Sequence, residues 1–115
     1  MRTNNPYAYL MHMKDAANAV TTYVSSHTFE QFSANEWDQA AAIRNLELIG
    51  EAATNIPIDF RNDHTEIPWQ DIIDFRNVAI HDYMEVDINI VWDIIQNDIP
   101  SFIDQLNSLL KDKES

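Results

Sequence analysis

Apolar residues recur at three- and four-residue steps through most of the chain and nowhere settle into the two-residue alternation of a strand. Between residues 6 and 24 the stripe is Leu10, Met13, Ala17, Val20 and Val24, one face of an amphipathic helix. Polar residues from Ser25 to Ser33 interrupt it, with Phe29 and Phe32 as plugs in a connecting loop. A long helix is then predicted from Ala34 to Ile56. Ala42, Leu46, Ile49, Ala53 and Ile56 form one apolar side, and Ala41, Leu48 and Ala52 form another. A helix apolar on two sides belongs at the centre of a bundle. Gly50 lies inside it, where glycine costs about 1 kcal/mol relative to alanine. Close approach of a neighbouring helix beside Ala53 would offset that cost.

Pro57 ends the run, because the residue before a proline avoids the helical region. Residues 57–67 read as a polar connection. Pro68 suits the first turn of the next helix, where its missing N–H is an orphan anyway. Trp69, Ile72, Ile73, Arg76 and Ile80 share one face of that helix, flanked by Phe75 and Ala79. Asp87 can cap a fourth helix carrying Ile88, Val91, Trp92 and Ile95. Pro100 opens a fifth with Phe102, Ile103, Leu106, Leu109 and Leu110, and the polar tail from Lys111 to Ser115 frays. The expectation is all-α: an up-and-down bundle of about five helices in a single domain, residues 1–115.

Composition narrows the function. The chain has no cysteine, which excludes disulfides, thiolate metal sites and a cysteine nucleophile. Its single glycine excludes glycine-rich phosphate loops and the dinucleotide fingerprint. No apolar run is long enough to span a bilayer and the first residues are not a signal peptide, so a cytoplasmic protein without membrane attachment is expected. With 19 acidic and 7 basic residues the formal charge is −12. Duplex binders neutralise many phosphates, so DNA is not expected as a partner. Any RNA chemistry must rest on a few placed residues.

The informative stretch is Arg76-Asn77-Val78-Ala79-Ile80-His81-Asp82-Tyr83. On an ideal helix Asn77 and His81 are neighbours at i and i+4, while Arg76 lies roughly 140° around the axis from His81. Arg76 therefore falls on the apolar face, where a guanidinium needs a partner or must snorkel to water. His81 can be a structural cap near the helix C-terminus. It is also the side chain suited to proton exchange near neutral pH, and arginine can neutralise a phosphorane oxyanion with a planar set of donors. An Arg76/Asn77/His81 trio could thus cleave RNA without metal; spacing alone leaves both readings open.

Other constellations are weaker. His81-Asp82 resembles the central pair of metal phosphohydrolases, yet His12, His27 and His64 lack the spacing of a ligand set. Asp82, Glu85 and Asp87 lack the regular cation-loop spacing and its glycine, which leaves a solvated acidic turn. Trp37, Trp69 and Trp92 could stack on bases, but each falls in its helix's apolar stripe, and core packing is expected for all three.

The pattern Arg76-x4-His81-x-Tyr83 resembles the Arg-x4–6-His signature of HEPN domains, and more closely the HepT-like toxin group, whose motif includes the tyrosine. Residues 41–53 (AAIRNLELIGEAA), 66–83 (EIPWQDIIDFRNVAIHDY) and 86–100 (VDINIVWDIIQNDIP) carry the rest of the likeness, which is weakest over the first 25 residues. The resemblance implies a homodimer of helical bundles whose motifs meet in a cleft. It implies a metal-independent endoribonuclease with no cofactor, a toxin paired with a minimal nucleotidyltransferase antitoxin. Arg76 and His81 carry over as catalytic, with Asn77 as the polar residue that follows the arginine. Tyr83 carries over as the tyrosine that the partner nucleotidylates, by adenylyl addition, to silence the toxin. The alternative is a non-catalytic helical module that binds a nucleotide or a nucleotidyltransferase partner.

Overall fold

The computed structural model describes residues 5–114; for Tyr83 and 112–114 it describes the backbone alone. Among the described residues every regular element is helical. The order is α1 (Pro6–Ser26), α2 (Phe29–Ser33), α3 (Glu36–Asn55), α4 (Ile58–Asp63), α5 (Trp69–His81), a 3-10 turn (Tyr83–Glu85), α6 (Ile88–Asp93), a π-helical segment (Ile94–Asp98) and α7 (Ile99–Glu114).

Polar side chains start most of these helices. Asn5 accepts from the Tyr7 N–H at 3.0 Å ahead of Pro6. Asn35 accepts from the Asp38 N–H at 3.1 Å, and Asp87 from the Asn89 N–H at 2.9 Å. Each satisfies an orphan donor of a first turn. The bonds from Asn89, backbone first, hold the Asp87 carboxyl below its ordinary value.

The all-α expectation holds, with three local corrections. The stretch 25–33 is not a plain loop, because Thr28 and Gln31 form a reciprocal capping box (3.1 and 2.8 Å) that nucleates α2. Residues 57–67 hold another short helix, α4. The expected fourth and fifth helices are one continuous rod, and Pro100 lies inside it. Proline has no N–H and clashes with the carbonyl four residues back. The widened π turn just before it, where the Ile99 N–H reaches Ile94 O, absorbs that defect without ending the rod.

Helix α3 is central, but not through the second apolar side expected: Ala41 and Leu48 are exposed, while Ile43, Gly50 and Ala52 are buried beside the first stripe. It packs along both α1 and α5, while α1 also meets α7 and the π segment. The buried core runs through Leu10, Met13, Leu46, Ile49, Ile56, Val91, Ile95 and Leu106. Trp69 is buried and donates Nε1–H to His64 O at 2.9 Å, which fixes the entry to α5. Trp92 packs against Phe29 and Phe32 at ring distances of 5.8 and 5.3 Å. Trp37 is a correction: it is 87% exposed. It stands one residue into α3, in line with the exposed Ala41 and Arg44 at i+4 and i+7, outside the buried stripe that starts at Ala42.

Candidate active site

Helix α5 carries the candidate residues and lies at the edge of the bundle. Its principal packing partner is α3, and only Trp69 and Ala79 of its residues are fully buried. Ile72, Ile73 and Phe75 are partly buried against the core, whereas Val78 and Ile80 are exposed. Beyond its end, Met84 in the 3-10 turn is 89% exposed, and Ile90 on α6 is exposed as well.

Arg76 is half-buried on the side of α5 that faces α3. Directly opposite is Gly50, the close approach expected from the sequence. A methyl group on Gly50 would overlap Arg76 Cβ and sit 3.0 Å from both Arg76 Cγ and the Ile72 carbonyl oxygen. The guanidinium donates through Nη1 to Asn77 Oδ1 at 2.9 Å. Its Nε is sealed from solvent and has no hydrogen-bond partner. Among the described residues no carboxylate pairs with Arg76, although Arg44 takes both Glu47 and Glu51, at 2.9 and 3.1 Å. Asp74, the nearest acid in sequence on α5, instead accepts from Gln70 Nε2 at 2.8 Å.

His81 is the last residue of α5 and is exposed, and its ring makes no hydrogen bond to a described side chain. It has not been drawn into a helix cap, since the Asp82 N–H closes the helix on Val78 O. The structure therefore bonds Arg76 to Asn77 but not to His81, which lies roughly 7 Å further along the axis from Arg76 and on another side of the helix from it. Tyr83 starts the 3-10 turn two residues on, and its side chain lies outside the described ones.

Substrate sites are concave, and two clefts of the single chain lie away from these residues. One cleft of about 430 Å³ runs between α5 and the π segment, over Leu46, Ile49, Ile72 and Phe75. A second, of about 450 Å³, lies between α1 and α3 beside His12 and Asp15. Neither includes Arg76, Asn77 or His81. Among the described residues no three histidine, aspartate or glutamate side chains gather as metal ligands, and no helix is long and apolar enough to cross a membrane.

An all-α bundle that carries Arg-x4-His at the end of an edge helix defines a HEPN-type domain. The chain belongs to the family described as Ribonuclease HepT-like, whose model matches residues 13–109. It is 38% identical over 103 residues to a protein of Thermococcus cleftensis named as a probable ribonuclease HepT, covering 90% of this chain and 94% of that one. A relative in Methanocaldococcus jannaschii, with a provisional RNase name, is 36% identical over 94% of this chain and 86% of its own. Another in Caldanaerobacter subterraneus, named in the same provisional way, is 34% identical over 96% and 97%. No solved structure matches the chain significantly.

Proposed function

We propose that this protein is a metal-independent endoribonuclease, the toxin of a pair whose antitoxin is a minimal nucleotidyltransferase. The observation that carries the reading is the state of Arg76. In a chain with 19 acidic residues, a half-buried guanidinium with no carboxylate partner among the described residues keeps its Nη edge available for an external anion. Holding such a charge unpaired is costly unless a ligand uses it. An exposed, uncommitted histidine ends the same helix.

In the reaction His81 takes the proton of the RNA 2′-hydroxyl, and that oxygen attacks the adjacent phosphorus. The 5′-oxygen leaves and takes up a proton, giving a 2′,3′-cyclic phosphate and a 5′-hydroxyl. Arg76 stabilises the extra negative charge on the phosphorane oxygens through planar donors. A homodimer with its two-fold axis beside α5 would place Arg76 of each protomer and His81 of each in one cleft, since such an interface is isologous. The exposed Val78, Ile80, Met84 and Ile90 are apolar surface of the kind such an interface covers. Adenylyl groups on Tyr83 would add bulk and negative charge beside His81, which blocks RNA.

The test incubates purified protein with labelled cellular RNA in EDTA. Wild type is expected to cut it, and Arg76→Ala, His81→Ala and Arg76→Lys are expected not to, the last because a point charge cannot replace a planar fork. Arrest of wild type by EDTA, or full cleavage by the Arg76→Ala variant, overturns the reading. The net charge of −12 favours a second reading, a non-catalytic module that binds a nucleotide or the nucleotidyltransferase. Wild type that never cleaves but retains that partner would establish it.

A further inference from the structure

We infer that Gly50 of α3 is a positioning residue for Arg76, setting where its guanidinium stands by allowing the α5 backbone to approach at that one turn. The inference rests on the reading of Arg76 as catalytic.

The glycine does not serve a backbone need. Among the described residues no φ is positive, so Gly50 has ordinary helical geometry and alanine would be the better helix former there. Its use is space. A Cβ at position 50 would overlap Arg76 Cβ, an atom fixed to the α5 backbone that cannot rotate away. Relief requires α5 itself to shift or turn, because Ile72 O is only 3.0 Å from the same point and blocks escape along the helix.

Three restraints then act on one side chain. Gly50 seats the Cβ–Cγ stem, Nε is sealed from solvent, and Asn77 holds Nη1 at 2.9 Å. With Nε sealed, a phosphate cannot use the side-on edge of the guanidinium. It must bind end-on, through Nη2 and the remaining Nη1 hydrogen. The direction of approach is thus set by a glycine 26 residues upstream, on another helix.

The test compares wild type, Gly50→Ala, Arg76→Gly, and the pair Gly50→Ala with Arg76→Gly, at temperatures where helical circular dichroism shows each folded. Three quantities are read: RNA cleavage, the thermal midpoint, and solvent exchange of the Arg76 Nε–H signal in ¹⁵N NMR, assigned by its loss in Arg76→Lys. Gly50→Ala is expected to lower kcat by about 100-fold, the cost of roughly 1 Å of misplacement, with KM little changed. Its Arg76 Nε–H should exchange rapidly where that of wild type is protected. Its thermal midpoint should fall, and most of that loss should vanish when residue 76 is glycine and has no Cβ to meet.

A Gly50→Ala protein with wild-type kcat and a protected Nε–H overturns the inference. So does a loss of stability that is the same whatever stands at 76, or a double variant that fails to fold as Gly50→Ala alone does. If Arg76→Gly itself cleaves like wild type, the catalytic reading of Arg76 is what has failed; the exchange signal and the stability coupling still show whether Gly50 seats the side chain.

Discussion

Arg76 donates through Nη1 to Asn77 Oδ1 at 2.9 Å, so the arginine of the motif is held by its own chain neighbour rather than by any carboxylate among the described residues. A neutral amide orients a guanidinium without neutralising it, which leaves the charge for a ligand. Arg44, on the solvent side of α3, shows the other outcome: Glu47 and Glu51 both bond to it and raise its pKa. Replacing Asn77 with Ala should loosen the Arg76 head and reduce RNA cleavage by about 10-fold or more, in line with roughly 1.5–3 kcal/mol for a hydrogen bond to a charged group. Asn77→Asp should do worse, since a carboxylate there pairs with the charge. Cleavage rates of the two variants check this; an Asn77→Asp enzyme as fast as wild type would contradict it.

The tryptophans separate core from surface. Trp69→Ala should destabilise the fold by about 3–5 kcal/mol, because it empties a buried aromatic site, and it also removes the Nε1 bond to His64 O. Trp37→Ala should stay within about 0.5 kcal/mol of wild type, as expected of an exposed position. Urea unfolding midpoints of the two variants decide it.

How much of this was legible in the sequence differs by element. Periodicity located α1, α3 and α5 and put α3 at the centre, although Ala41 and Leu48 of its expected second apolar side are exposed, because a stripe does not say which side meets a neighbour. Trp37 misled because position in a stripe does not say where the neighbouring helices begin. Proline was read as a helix start at Pro100; a π turn that accommodates proline leaves no local pattern to read. The capping box Thr28-x-x-Gln31 is legible as a helix start, yet Phe29 and Phe32 within it read equally as plugs in a loop. At the site, the motif residues could be read from spacing and family likeness. The pairing of Gly50 with Arg76 could not, because it depends on the register between two helices. Its sole trace is a glycine in a helix interior, which announces a close neighbour without naming it.

Tyr23 gives a pH signature of the fold. Its hydroxyl donates to Asp38 Oδ2 at 2.5 Å, tying α1 to α3. Burial, then that hydrogen bond and the carboxylate's charge, push the phenol from 10.0 up to about 12. Unfolded chains lose this proton near 10 and folded ones near 12, so between those values the unfolded state binds fewer protons. The stabilisation is therefore complete below pH 10 and is lost as pH rises toward 12. Tyr23→Phe should flatten that part of the stability profile in urea titrations; an unchanged slope would refute the contribution.

Control by modification has its own test at Tyr83. If the proposed pairing holds, mass spectrometry of this protein co-expressed with a minimal nucleotidyltransferase partner should find adenylyl groups on Tyr83, and Tyr83→Phe should escape neutralisation by that partner. Full neutralisation with Tyr83 unmodified would rule out this switch and leave direct blockade by the partner.

In the proposed enzyme Arg76 and His81 act together across a pair of protomers, since on one helix they lie roughly 140° apart. The most direct measurement mixes an Arg76→Ala protein with a His81→Ala protein, allows subunits to exchange, and follows RNA cleavage. If each site takes one residue from each protomer, random reassortment restores roughly a quarter of wild-type activity, because half the dimers are mixed and each has one intact site. Mixing that restores nothing, or a monodisperse wild-type monomer that still cleaves RNA, would contradict the account.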